Sequence, residues 1–295
     1  MQTYLYLLST LSPRLFCRFV DYCTTPTEKA VLLRHDVDKS PLHSVRFANI
    51  QHSLGIRGTY YFRIVPESFQ PKAIEVIAGL GHEIGYHYED VALTAAAMKV
   101  GKEHMKDPES FLKKLIEESI ESFAFNLAFL RKYADIKTIC MHGSPLSPWD
   151  SRLLWTRYNY RDFGLIGEPY FDIDFGRVAY YTDTGRHWDG NRSVVRDKPF
   201  RPSGPNSFYS GITLSLQKEP VQRDHSFPVY HSTFDIINAI KEGTFPEMVI
   251  FTFHPQRWHD RLIPWTGELI WQNLKNMAKY SLLQLKVREY EFPRR

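Results

Sequence analysis

The sequence predicts an α/β fold built on a parallel sheet, and three observations predict it. Short apolar runs alternate with longer helical patterns along most of the 295 residues, the order that repeated βα units give. No internal repeat or low-complexity tract breaks the alternation. Four of the apolar runs end in Asp or His, as strands do in a parallel barrel whose carboxyl-end loops converge on one mouth. A chain this long, 43% hydrophobic, buries a sizeable core without staples, and we expect a single domain over residues 1–295.

In chain order the predicted strands are 30–35, 58–64, 82–87, 137–142, 227–231 and 248–254. Between and after them lie helical stretches near 41–54, 71–80, 91–104, 109–133, 232–242 and 266–283. The clearest is 109–133, where Phe111, Leu112, Leu115, Ile116, Ile120, Phe123, Leu127 and Leu130 recur at helical spacing, which reads as a barrel-covering helix with one buried stripe. Residues 266–283 are amphipathic without a dense basic patch, so a barrel-closing role fits better than membrane docking. Residues 183–211 are rich in Gly, Pro, Asn and Arg and show neither period. They read as a long ordered loop, of the length that usually serves as a lid.

Composition excludes several classes. With 24% charged residues the chain is neither disordered nor fibrous. The net charge of +4 is too small and too scattered for nucleic acid. Cys17, Cys23 and Cys140 are too few for a disulfide framework and fit a reducing compartment. The apolar start has no basic residues before it and is cut by Pro13, a poor signal peptide. No run approaches the roughly 20 apolar residues of a membrane span. A soluble, cytoplasmic protein is expected. Nucleophile-elbow, phosphate-cradling and dinucleotide glycine motifs are all absent.

The chemistry gathers at the strand ends Arg34-His35-Asp36-Val37-Asp38, Tyr86-His87, Met141-His142-Gly143 and Phe253-His254-Pro255. In an extended strand Arg34, Asp36 and Asp38 share one side and His35 takes the other. Two carboxylates so close repel unless a cation lies between or beside them. The competing reading of Asp36 and Asp38 is a cap for the next helix, which needs only one of them. His82 opens its strand at the opposite end of the sheet and reads as structural. His231 either reaches the mouth or makes a helix-start hydrogen bond.

The segments LLRHDVDKSP, GHEIGYHYED, MHGSPLS and TFHPQRW, in this order, resemble the motifs of the polysaccharide deacetylase family (carbohydrate esterase family 4). They are most similar to its branch with an Arg-His-Asp-Val-Asp run, and the resemblance covers residues 30 to 260. It implies a distorted (β/α) barrel, a divalent metal, most often zinc, and hydrolysis of an N- or O-acetyl group on a sugar. By the same resemblance Asp36 is the catalytic base, Asp38 and His87 are metal ligands, and His254 protonates the leaving group. The family's second ligand histidine is replaced here by Val91. A catalytic zinc needs a third protein ligand, for which His142 is the first candidate, Asp90 the second and Glu89 the third. The family's arginine-proline motif is also replaced, leaving Arg34 to brace the base. Arg34, Arg186, Trp188, Trp258 and His231 are the candidate substrate contacts.

The expectation is therefore a metal-dependent hydrolase that deacetylates an amino sugar. In the cytoplasm its substrate would be a nucleotide- or lipid-linked precursor of a surface glycan, with loop arginines meeting the diphosphate. The alternatives are an amidohydrolase acting on a non-sugar C–N bond, a glycan-binding protein on a decayed barrel, and a lyase or epimerase using Asp36 and His254 to move protons.

Overall fold

The computed structural model describes residues 1–99, 107–144, 147, 149–184, 188 and 227–258. The chain opens with helix α1 (Gln2–Leu11), which buries Tyr4, Leu7, Leu8 and Leu11, an i, i+3, i+4, i+7 stripe. A short strand β1 (Phe16–Cys17) and helix α2 (Phe19–Thr24) lead to β2 (Ala30–Val37), buried along its whole length. Then come α3 (Pro41–Ser53), β3 (Thr59–Phe62), α4 (Pro71–Gly79), β4 (Glu83–Tyr88) and α5 (Asp90–Ala97). Both α3 and α4 carry Pro in their first turn, where the missing N–H costs nothing.

Helix α6 (Pro108–Leu130) is capped by Asp107, whose side chain accepts from the Ser110 N–H. It buries Phe111, Leu115, Ile116, Ile120, Phe123, Leu127 and Leu130, the stripe its spacing predicts. After β5 (Ile139–Met141) come two short 3₁₀ turns, α7 (Pro169–Asp172), β6 (Ala179–Thr182), α8 (Thr233–Lys241) and β7 (Met248–Phe253).

All strand pairs are parallel, in the order β5-β4-β3-β2-β7-β6, with β1 beside the start of β2. The sheet curls into half a barrel, so the expected α/β class holds. Strands β2, β3, β4, β5 and β7 are buried on both faces, as a parallel sheet requires. Alternation sends His35 outward, where it stacks on Tyr60 and meets Gln51 at 2.8 Å, while Arg34 and Asp36 point the other way, toward Tyr170 and His87. One glycine is fixed by that interior. A Cβ on Gly85 of β4 would run into the Tyr61 ring and come within 3.0 Å of the Thr138 carbonyl.

One predicted strand is corrected. Residues 227–231 form no strand; they are the coil that enters α8. Pro228 lacks the N–H a ladder needs, and its carbonyl accepts instead from the Tyr181 hydroxyl at 3.0 Å. The place beside β7 belongs to β6. Residues 266–283 and most of 183–211 lie outside the described residues. Among the described residues, no helix is long and apolar enough to cross a membrane.

Candidate metal centre

The six longer strands end alike. The residue directly after each is Asp38 (β2), Arg63 (β3), Glu89 (β4), His142 (β5), Asp183 (β6) and His254 (β7). A parallel curled sheet brings those positions to one rim. Within β2, Arg34 makes a two-pronged ion pair with Asp36, Nε to Oδ1 at 2.8 Å and an Nη to Oδ2 at 2.6 Å. The same guanidinium packs over the Tyr170 ring and donates to its hydroxyl at 3.3 Å.

Asp38 is the meeting point. Its Oδ1 lies 3.6 Å from His87 Nε2 and 3.6 Å from His142 Nε2. Its Oδ2 lies 3.9 Å from His254 Nε2 and accepts from the Gln256 amide at 3.0 Å. Each imidazole is held from behind through Nδ1. His87 donates to the Cys140 carbonyl at 2.9 Å, His142 to the Glu89 carboxylate at 2.8 Å, and His254 to Asp183 at 2.5 Å. A neutral ring so held presents the Nε2 lone pair to the site.

The charges sort themselves. Asp36 has Arg34, Glu89 has Arg63 and Asp183 has Arg257. Among the described residues, the Asp38 carboxylate faces imidazoles and an amide, and its buried Oδ1 has no hydrogen-bond partner. Burial alone pushes the Asp38 carboxyl up, but His87, His254 and His142 more than offset it and hold it well below the usual range. Glu89 is likewise pushed up by burial yet brought down to about 2 by His142 and Arg63. Burial and Arg257 disfavour a charged His254, but Asp183 and Asp38 outweigh them and raise its pKa. Burial pushes Asp183 up, and His254 and Arg257 pull it below its ordinary value. By contrast His35 is driven down to about 3 by burial, the state of a core histidine.

Among the described residues, two donor groups converge closely enough for an ion, their atoms within 4.8 Å of one another: Asp38, His87 and His142, and Asp36, His87 and Cys140. In the second, both Asp36 oxygens are already taken by Arg34. The first offers two imidazole nitrogens and a carboxylate oxygen lacking a donor, a set that suits a divalent ion such as zinc. The residues fit the group. No family model, curated protein or solved structure matches this chain. Its own geometry carries the functional reading.

Several candidates are placed away from Asp38. Asp90, the alternate third ligand, is fully buried toward α6, where its carboxylate accepts from Tyr86, Ser122 and Asn126; a saturated carboxylate facing a helix cannot turn to the mouth. Val91 is core. Glu89 reaches the site behind His142 rather than beside it. Trp188 is buried, packs on the Phe251 and Phe253 rings and donates to Thr233, so it is a core side chain and not a substrate contact. Trp258 donates its indole N–H to Asp183 at 2.8 Å. His231 is exposed, and its backbone N–H donates to Asp235 at the start of α8; its role there is the helix-start bond, and it does not join the cluster. His82 accepts from the Gly58 N–H and bonds the Ala48 carbonyl, a structural setting. Arg186 lies outside the described residues.

Five participants were not singled out from the sequence: Arg63, Asp183, Gln256, Arg257 and Tyr170. For the first two a usable signal exists, since each is the polar residue that directly follows an apolar strand. Gln256, Arg257 and Tyr170 carry no such mark.

Proposed function

We propose that the chain is a metal-dependent hydrolase that removes an acetyl group from an amino sugar, carried on a barrel of the polysaccharide deacetylase type. The observation that carries the reading is the partnerless Asp38 Oδ1 between the Nε2 atoms of His87 and His142. Those three side chains would hold the ion. When bound, a divalent ion supplies Lewis acidity that polarises an acyl carbonyl and acidifies water.

The chain's own groups divide the proton work. Asp36, fixed by Arg34, accepts the proton of the attacking water through a lone pair that the guanidinium leaves uncovered. His254 Nε2 gives a proton to the departing nitrogen, because an amine leaves poorly until protonated. Asp183 keeps that imidazole aimed and favours its charged form. An acetylated amino sugar, nucleotide- or lipid-linked, is the proposed substrate class, by resemblance of the four motifs.

The test is metal content of the purified protein with Asp38→Ala, His87→Ala and His142→Ala beside the wild type, followed by acetate release from N-acetylated sugar nucleotides. Near-stoichiometric metal, lost in all three variants, and acetate formed only by the loaded wild type is the expected result. A wild type that takes up no divalent ion under any loading condition overturns the hydrolase reading and favours a glycan-binding role.

A further inference from the structure

We propose that Arg63 and Glu89 form a clip that positions two of the ligands, Asp38 and His142, and thereby sets how tightly the ion is held. The inference rests on the metal-centre reading above. Register places the four residues in two facing pairs. Val37 of β2 pairs with Phe62 of β3, so Asp38 and Arg63 follow side by side; Tyr88 of β4 pairs with Met141 of β5, so Glu89 and His142 do the same.

The side chains then close the span. Arg63 Nη1 donates to the Asp38 backbone carbonyl at 3.2 Å, and Nε donates to Glu89 Oε1 at 2.6 Å. Glu89 Oε2 accepts from His142 Nδ1 at 2.8 Å and from the Ser144 hydroxyl at 3.1 Å. The first residues after four neighbouring strands are thus tied into one chain of bonds.

His142 needs such a device more than His87 does. His87 lies inside β4, where the ladder fixes its backbone, whereas His142 lies just past a strand of three residues at the end of the described sheet. The residue four after His87, Val91, is buried in the core and offers no donor. The backbone holds His142 by one bond, from its N–H to the Tyr88 carbonyl at 2.9 Å, and the clip adds a side-chain restraint on the imidazole itself. A carboxylate behind a ligating imidazole also fixes the tautomer and raises the basicity of the other nitrogen. Arg63 holds Glu89 in the orientation that does this.

The test is Co²⁺ titration of the full chain, followed by d–d absorbance and chelator competition, for wild type, Glu89→Gln, Arg63→Met and His231→Ala. The two clip variants are expected to bind Co²⁺ about 10- to 100-fold more weakly, with His231→Ala unchanged. The ¹⁵N tautomer of His142 in the wild-type protein, read by NMR, is expected to carry its proton on Nδ1; it decides the matter even where a variant fails to fold. Folded clip variants with wild-type affinity, or a His142 proton on Nε2, overturn the clip and leave the metal centre standing. A wild type that binds no Co²⁺ overturns both.

Discussion

Glu168 gives the sharpest test of the interior. It is fully buried, and its two oxygens accept the backbone N–H groups of Met141 at 3.0 Å and Tyr170 at 2.5 Å. Burial raises its pKa from the ordinary 4.5 to about 7, against those bonds and the nearby Arg152 and Arg34. The folded protein therefore holds this proton more tightly than the unfolded chain. Between pH 4.5 and 7 it binds more protons than the unfolded state, so this group makes stability fall as pH rises through that window. A gap of that size is worth about 3 kcal/mol of stability, fully present below pH 4.5 and fully lost above pH 7. Glu168→Gln removes the titration and adds a fixed cost of about 1–3 kcal/mol, because its amide N–H₂ faces one of the backbone donors. Urea unfolding of both proteins from pH 4.5 to 8 is the assay. The variant is expected to be the less stable at pH 4.5 and to gain about 3 kcal/mol on the wild type by pH 8. Parallel stability curves would refute the reasoning, since they would mean that Glu168 titrates alike in both states.

Three further outcomes are expected. Gly85→Ala forces a methyl group into the Tyr61 ring and should cost about 1–3 kcal/mol; adding Tyr61→Ala should recover part of that, and a purely additive double variant in urea unfolding would contradict the contact. Trp188→Ala should lower unfolding stability by about 3–5 kcal/mol while Co²⁺ affinity stays at the wild-type value; weaker metal binding with unchanged stability would put Trp188 at the mouth. Asp183→Asn should cost about 3 kcal/mol, because a buried partner of His254, Arg257 and Trp258 loses its charge. In that variant the His254 ring should also lose its raised pKa, read by NMR titration, and a titration unchanged from the wild type would sink the pairing.

The strands with strong apolar runs were legible to within a few residues: 30–35 became 30–37 and 248–254 became 248–253. Their alternation also placed Arg34, Asp36 and Asp38 on one side and His35 on the other. The misplaced strand has a physical cause. Phe227 to His231 is apolar and β-rich, but it contains Pro228, while Ala179–Thr182 is only four residues long and has its partner β7 nearly 70 residues away. Side-chain partnership was less legible still. Sequence places a histidine after a strand; it does not say that Glu89 stands behind His142, that Asp90 spends its carboxylate on Tyr86, Ser122 and Asn126, or that Trp188 packs on β7 rather than on a ligand. Those choices depend on register between strands and on helix packing, neither of which has a local signature.

Two neighbouring aspartates on one face could compete for a cation, and on the proposed metal-centre reading Arg34 separates their roles. Arg34 sits in the same row as both, one step inside Asp36, and its fork takes both Asp36 oxygens. An ion beside Asp36 would meet a guanidinium at close range, where each pair of like unit charges 4 Å apart costs about 4 kcal/mol in a partly solvated site and a divalent ion pays twice. One step outward that repulsion fades. There Asp38 offers an oxygen with no donor and two imidazoles with their lone pairs forward. On the proposed mechanism, the arginine that would keep Asp36 from ligating the ion is what would leave it available as a base. Replacing Arg34 with Met should therefore free Asp36 to join the ion and tighten metal binding while removing the proton acceptor. Weaker metal binding in a folded Arg34→Met protein would contradict this division of labour.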